Sequence, residues 1–306
     1  MMAKITLGTR GSELARAQTL LVEKAIQSAY PSMAIETKII VTHGDNARVV
    51  DLNAGRKGLF TAEIERALLA REVDVAVHSA KDLPSQTNPA AQIAAVLPRA
   101  PTNDVLISKH SGGLASIPCG ATVATGSVRR QRQLHWKRPD LKLVDVRGNV
   151  PTRVRKLAEN EWDGIVLARA GLERLGFSAT RTETGFEGGQ FFLEILPLEL
   201  FVSAGGQGII ALQIRSNDQN TKAFLASVND PDTLLCLQAE REFLSLLHGD
   251  CNFPVGVYAT ISNGRMKLRT QVFEGELPMP RQAEVDGASD EGDQLAAELL
   301  RKIEQD

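Results

Sequence analysis

The chain has 306 residues, 43% of them hydrophobic and 24% charged, with a formal net charge of -2. That length accommodates two or three domains with separate cores, and the near-neutral balance gives no global reason to expect a nucleic acid or an anionic membrane surface as partner. Cys119, Cys236 and Cys251 are widely spaced and form no CxxC, so neither a disulfide framework nor a zinc ribbon is expected. The opening MMAKITLGTRGS has no apolar signal core and no later run is long enough to span a bilayer, which makes a reducing cytoplasm the expected compartment.

In chain order, Lys4–Thr9 reads as a strand. Ser12 caps a helix whose apolar positions Leu14, Ala17, Leu21 and Ala25 recur at helical spacing until Pro31. A strand at Ala34–Val41, a short helix at Thr61–Ala70 and a compact strand at Val73–Val77 come next. The prolines of PRAPTND, Pro98 to Asp104, mark a crossing between domains. Beyond it ATVAT leads into SVRRQRQLHW, LKLVDV into NVPTRVRKLAEN, and GIVLAR into AGLERLG, with Asn149 as N-cap and Pro151 in a first turn. This alternation predicts α/β architecture with mostly parallel βαβ units. AGGQG, Ala204 to Gly208, has neither the spacing of a dinucleotide fingerprint nor the lysine of a phosphate loop, and reads as a flexible crossing. From about residue 225 the texture changes to a small α+β domain: an amphipathic helix over 231–247, a hairpin turning at Ser262-Asn263-Gly264, and a last helix in DQLAAELLRKIEQ.

The residues just beyond the end of each strand carry the functional signal. Arg10 succeeds the first strand; His78, Ser79, Lys81 and Asp82 succeed VDVAV; Ser127, Arg129 and Arg130 succeed ATVAT; Arg147 ends LKLVDV, with Arg153 and Arg155 in the next helix. Ligands of open α/β sheets bind outside the carboxyl ends of strands, where helix N-termini add positive potential. Residues distant in sequence therefore converge on one cleft, and the guanidinium fork suits carboxylate or phosphate. The expected ligand carries several negative charges. Within that field Asp82 reads either as an ion-pair partner or helix cap, or as an acid that stabilises positive charge on a substrate held by its anionic groups. The five histidines form no metal-ligand spacing, no GxSxG elbow is present, and the local charge of RRQRQLHWKR sits in a chain that is acidic overall, which argues against nucleic acid.

Cys251 stands apart from Cys119 and Cys236, which are read as buried. It lies in the polar turn HGDCNFPVGVYA, presented rather than packed. On these residues alone two readings stay open: a two-lobed anion-binding protein without catalysis, and a thiol-dependent transferase or hydrolase with Cys251 as turnover nucleophile.

Taken together, TRGSELARAQ, KGLFTAEIERALL, VDVAVHSAKDLP, TGSVRRQRQL, RPDLKLVDVRGNVPTRVRKL, WDGIVLARAGLERLG, GGQG and GDCNFPVGVYA resemble the porphobilinogen deaminase (hydroxymethylbilane synthase) family over almost the whole length. The resemblance implies two lobes like those of periplasmic binding proteins plus a small C-terminal domain: domain 1 from 1–99 and 200–224, domain 2 from 100–199, domain 3 from 225–306. It implies a monomeric transferase that joins four molecules of porphobilinogen head to tail, releases ammonia at each step, and frees a linear tetrapyrrole from a covalent dipyrromethane primer. It further implies a thioether from Cys251 to that cofactor, cofactor contacts from Ser12, Lys81, Asp82, Thr125, Ser127, Arg129, Arg130, Arg147 and Gly148, substrate contacts from Arg10, Ser12, Lys57, Arg147, Arg153 and Arg174, and Asp82 as the catalytic carboxylate. Three positions depart from the family's pattern: Arg56 in AGRKGLF where a glycine is usual, Gly126 in TGSVRR where a serine is usual, and TND where PRD is usual, which keeps Asp104 and loses an arginine.

Overall fold

The chain enters as β1 (Lys4–Arg10), whose Ile5 and Leu7 are fully buried, and leads directly into α1 (Glu13–Ala29). Ser12 starts that helix, its Oγ accepting from the Ala15 amide at 3.3 Å, and Ala15, Gln18, Thr19, Val22 and Ile26 form its buried stripe. The structure is a computed structural model that describes residues 4–41, 61–86, 88–178, 183–186, 189–247, 253–275 and 279–305. Lys57, Arg56 and Cys251 lie outside the described residues.

Three further segments complete the outward run: β2 (Ala34–Ile40), α2 (Ala62–Leu69) and β3 (Val75–Ser79), with both strands parallel to β1, as the alternation predicts. β3 begins two residues later than the expected Val73, so His78 and Ser79 belong to the strand, and Lys81 and Asp82 occupy a single 3-10 turn, Ala80–Asp82. β4 (Ala91–Val96) precedes the crossing.

The second sheet is built from β5 (Asp104–Ser108), β6 (Thr122–Ala124), α3 (Val128–Lys137), β7 (Lys142–Val144), α4 (Val150–Glu159), β8 (Gly164–Ala168), α5 (Arg169–Arg174), β9 (Glu183–Phe186) and β10 (Gly189–Ile195). Its strand order is β7-β6-β8-β5-β10-β9; β6 is parallel to β7 and β8, whereas β5 runs antiparallel to β8 and β10. The chain then returns as β11 (Ile210–Arg215), which inserts antiparallel between β3 and β4 to complete the order β2-β1-β3-β11-β4. Each sheet thus joins a parallel βαβ part to antiparallel strands next to a crossing. After α6 (Gln219–Leu225), α7 (Pro231–Leu246) packs with α8 (Gly292–Gln305) on an antiparallel sheet of β12 (Val255–Ser262), β13 (Arg265–Val272) and β14 (Arg281–Ala288). Asn263 and Gly264 have φ of 50° and 71°, the left-handed pair that a two-residue hairpin turn requires.

Each sheet has its own apolar cluster: around Ile5, Val22 and Ile210 in the first, Ile107, Leu157 and Phe191 in the second, and Phe243, Leu268 and Leu299 in the third. Cys236 is buried on α7, and burial pushes its thiol up to about 12. Cys119 does not follow the expectation of burial: it is exposed, because it lies in the turn that ends at Gly120 rather than on an apolar face.

The crossing between the first two sheets is tighter than its glycines suggest. Outgoing and returning segments pair through Leu97 N to Ile210 O (3.2 Å) and Ala100 N to Gly208 O (3.1 Å), and within AGGQG the amides of Gln207 and Ile209 bond to the carbonyls of Ala204 and Gly206 at 3.0 and 3.2 Å. This is a closed, packed turn and not a loose linker. Gly208 has φ +86°, and a Cβ there would lie 2.3 Å from the Ala100 carbonyl oxygen. Gly176 has a similar φ of +85° with open space around it. Gly208→Ala is therefore expected to lower the unfolding free energy by about 3 kcal/mol or more, against about 1 kcal/mol for Gly176→Ala, where only the backbone preference is opposed. Urea unfolding of both variants checks this, and equal losses would contradict it.

Candidate active site

The carboxyl ends of β1 and β3 open on two adjoining hollows. The first, about 50 Å³, is lined by Arg10, Ser12, Gln18, Thr61, His78, Ser79 and Asp82 among others; the second, about 80 Å³, by Gln18, Ser79, Lys81, Arg130, Arg153, Arg174 and the Gly206–Gly208 turn among others. Leu14, Gln18 and Ser79 face both. The strand-end cations of the two sheets thus meet across one cleft, with Asp82 on its first-sheet side.

Arg130 reaches the cleft from a buried anchorage. At the start of α3, capped by the Ser127 hydroxyl, its Nη2 donates to Asp104 Oδ1 at 2.7 Å and its Nη1 to the Val166 carbonyl at 3.1 Å, while its Nε is buried without a partner. Asp104, at the start of β5, is fully buried and also accepts from Arg129 Nη1 at 2.8 Å and Gln207 Nε2 at 2.8 Å. Burial alone would raise the Asp104 carboxyl; the Arg129 and Arg130 guanidiniums overcome that and hold it well below the usual carboxylate range. Asp104 and Gln207 are what sequence reasoning passed over. The retained aspartate of TND was visible, but nothing in its neighbourhood revealed that two arginines some 25 residues later would close on it.

Arg129 is placed differently from a cleft-lining group. Its guanidinium turns inward, with Nη1 also bonded to Gln133 Oε1 and the Val202 carbonyl at 2.8 and 2.9 Å, and it is 4% exposed. Thr125 is buried behind Ser127, its Oγ1 accepting from the Ser127 amide at 3.4 Å. Arg147 is exposed and paired with Asp145 at 2.6 Å, outside both hollows; Gly148, at φ +116°, turns its carbonyl to Arg153 Nε at 2.7 Å. Gly126 has a steric reason for lacking a side chain: a Cβ there would lie 2.7 Å from the Val146 carbonyl oxygen. Arg174 donates to the Gly208 carbonyl at 2.6 Å, and burial lowers its guanidinium to about 10, still cationic at neutral pH. Lys81 is lowered to about 8, by burial first and then by Arg130, against the opposing pull of Asp82 and Asp104.

His78 and Gln18 complete the floor. The Gln18 amide and Ser79 hydroxyl bond to each other at 2.8 and 3.1 Å, and His78 Nε2 lies 3.0 Å from Gln213 Oε1. Burial lowers His78 to about 4, with Gln213 opposing and Arg10 assisting, so the ring is neutral at pH 7. A histidine depressed from 6.5 leaves the fold's stability intact above pH 6.5, and that stability drains away as the pH falls towards 4, because the unfolded chain takes up the proton first. His78→Gln is expected to remove about 2 kcal/mol of the stability that the native protein loses between pH 7 and pH 5. Urea unfolding at the two pH values measures it, and an identical pH dependence in both proteins would contradict it.

Two profiles of one family cover the chain. "Porphobilinogen deaminase, dipyromethane cofactor binding domain" matches residues 5–223 and "Porphobilinogen deaminase, C-terminal domain" matches residues 234–305. A porphobilinogen deaminase of Syntrophomonas wolfei subsp. wolfei is 41% identical over 99% of this chain and 95% of its own length. Those of Roseiflexus castenholzii and Nitrobacter winogradskyi are 42% and 44% identical, over 98% and 86% of this chain and 97% and 81% of their own. The profiles succeed one another in the order of the two-lobed part and the C-terminal sheet described above, and the relatives run almost end to end with the chain, which belongs to the porphobilinogen deaminase family.

Proposed function

We propose that the cleft between the first two sheets is where this hydroxymethylbilane synthase condenses porphobilinogen, with Asp82 as its catalytic carboxylate. The activity is that of a transferase of tetrapyrrole biosynthesis, and the cofactor is dipyrromethane. The observation that carries the residue assignment is the meeting, across one cleft, of Asp82 with Arg10, Lys81, Arg130, Arg153 and Arg174.

That donor set fits a carboxylate-rich group. The described lining offers several cations from two lobes, and the buried, unpartnered Nε of Arg130 has hydrogen-bonding capacity that the protein itself leaves unused. Lys81, Arg130 and Ser12 would hold the cofactor's acetate and propionate groups, with Cys251 as its thioether anchor. Thr125, Ser127, Arg147 and Gly148 form the adjoining strand ends and loop, and Arg129 acts through Asp104. When bound, the dipyrromethane supplies the terminal pyrrole to which the first substrate unit is joined. Arg10, Ser12, Arg153, Arg174 and Lys57 take the carboxylates of the incoming porphobilinogen and orient its aminomethyl group. As the protonated amino nitrogen of that group leaves as ammonia, its C–N bond breaking while the methylene carbon stays on the ring, positive charge develops on the substrate pyrrole, and the Asp82 carboxylate stabilises it and accepts a hydrogen bond from the ring N–H. Guanidiniums neutralise the accumulating carboxylates without losing their own protons.

The two profiles and the sheet topology support three working units, 1–99 with 200–224, 100–199, and 225–306, joined at the packed crossing. Among the described residues no helix is long and apolar enough to cross a membrane. We take the protein to act as a monomer in the cytoplasm, without nucleic acid.

Intact-mass measurement is expected to show an adduct of two pyrrole units on Cys251, and Asp82→Asn is expected to keep both adduct and melting temperature while losing about 100-fold or more in kcat. A bare chain with a freely alkylated Cys251 would favour an anion-binding protein instead, and native turnover in the Asp82 variant would remove that carboxylate from the reaction.

A further inference from the structure

Gln207 is 1% exposed in the returning crossing segment, and its side-chain amide touches three other parts of the chain. Nε2 donates to the Thr102 carbonyl of the outgoing crossing at 2.6 Å and to Asp104 Oδ1 of β5 at 2.8 Å. Oε1 faces Lys81 Nζ of the catalytic turn at 3.5 Å. Chemistry leaves no freedom in this orientation. Both amide hydrogens are taken by acceptors that cannot donate, and a flipped amide would set its oxygen against a carboxylate and its NH2 against an ammonium. The backbone is fixed as well, since the Gln207 carbonyl accepts from Arg99 Nε at 3.0 Å and the neighbouring Gly206 amide donates to Glu240 at 2.6 Å.

We propose that Gln207 is a positioning residue of the condensation reaction: pinned by Asp104 and Thr102, its amide oxygen holds the Lys81 ammonium in the cleft and ties this first-lobe cation to the carboxylate that anchors Arg130 of the second lobe. The proposal rests on the reading of Lys81 as a carboxylate contact. It explains why a glutamine, polar and fully buried, occupies a turn that touches both lobes: a neutral acceptor steadies a cation without competing with the ligand's carboxylates, as a glutamate there would. It also makes Lys81 sensitive to position 207. Among the described residues, the charged groups around that ammonium include Asp82 on its own turn, Asp104 on β5, Arg129 and Arg130 on α3, Arg153 on α4 and Arg174 on α5, and in the holoenzyme the cofactor carboxylates that Lys81 would hold are common to the native protein and both variants. Burial lowers Arg174 among them to about 10, still cationic where Lys81, at about 8, titrates, and the two carboxylates favour the ammonium, so removing a neutral acceptor shifts the balance towards the free amine.

Two variants of the holoenzyme test this, Gln207→Met and Gln207→Glu. Trace acetylation by acetic anhydride across pH 6–11, read on the Lys81 peptide by mass spectrometry, reports the ammonium directly; the alkaline limb of kcat/KM reports its use in the reaction. Gln207→Met is expected to move both midpoints to lower pH by about 0.5 unit or more, and Gln207→Glu, which places a carboxylate beside the ammonium, to move both to higher pH. A purely structural role would lower the melting temperature and leave both midpoints in place. An unmoved labelling curve for Gln207→Met overturns the hold of Gln207 on Lys81, whatever the kinetics show and whether or not the glutamate variant folds. A labelling curve that moves while the kinetic limb stays put overturns the role of Lys81 in the reaction, and with it that of Gln207 as a positioning residue.

Discussion

A single carboxylate with no access to solvent organises the space between the lobes. Asp104 accepts from two arginines of one helix and from a glutamine of the returning crossing turn, and each of those donors leads somewhere different. Arg130 leads to the cleft. Arg129 leads through Gln133 to Gln271 of the third sheet, the two glutamines bonding at 2.6 Å. Gln207 leads to Lys81 in the Ala80–Asp82 turn. Two buried guanidiniums one residue apart repel each other and have lost their hydration, so they persist in this place only with a counter-charge between them. The site's readiness to receive anions has the same origin, since the net local charge stays positive after Asp104 is counted.

The antiparallel strands explain why such a centre forms where it does. A purely parallel doubly wound sheet would send the chain across once, whereas here β11 returns between β3 and β4, so outgoing and returning segments lie side by side. Their pairing brings Thr102, Asp104 and Gln207 within hydrogen-bond reach and leaves no room for a side chain at Gly208. Arg99 extends the junction to the third unit: its guanidinium pairs with the fully buried Glu240 of α7 at 2.6 Å, and Glu240 accepts in turn from the amides of Gly206 and Ala259. These buried polar contacts hold the outgoing and returning segments in register where the first two sheets meet.

Local chemistry made much of this legible in advance. Ser12 and Asn149 were readable as caps because capping depends on one side chain and an amide three residues on, and each of them does accept that bond, as Ser127 also does. The convergence of Arg10, Lys81, Asp82 and Arg130 came from the general position of ligands at strand ends. Long-range pairing was not legible. The inward turn of Arg129, the placement of Gln18 against Ser79 and the bridge made by Gln207 all join residues brought together by the fold, and a glutamine inside a glycine-rich run carries no periodicity to mark it. AGGQG read as flexible because glycine frequency measures permitted conformations; its left-handed residues here serve close packing. β4, β5 and β10 escaped notice for a related reason, since short apolar strands beside a crossing lack the helix partner that reveals a βαβ unit.

The claim that Asp104 is the shared counter-charge of this junction is tested most directly by a double-mutant cycle in unfolding free energy, with Asp104→Asn, Arg129→Met and the two combined. Removing the carboxylate alone strands two buried guanidiniums and is expected to cost about 3–5 kcal/mol, whereas removing Arg129 as well relieves part of that, giving a coupling energy of about 2 kcal/mol. Losses that add to within about 0.5 kcal/mol would contradict it.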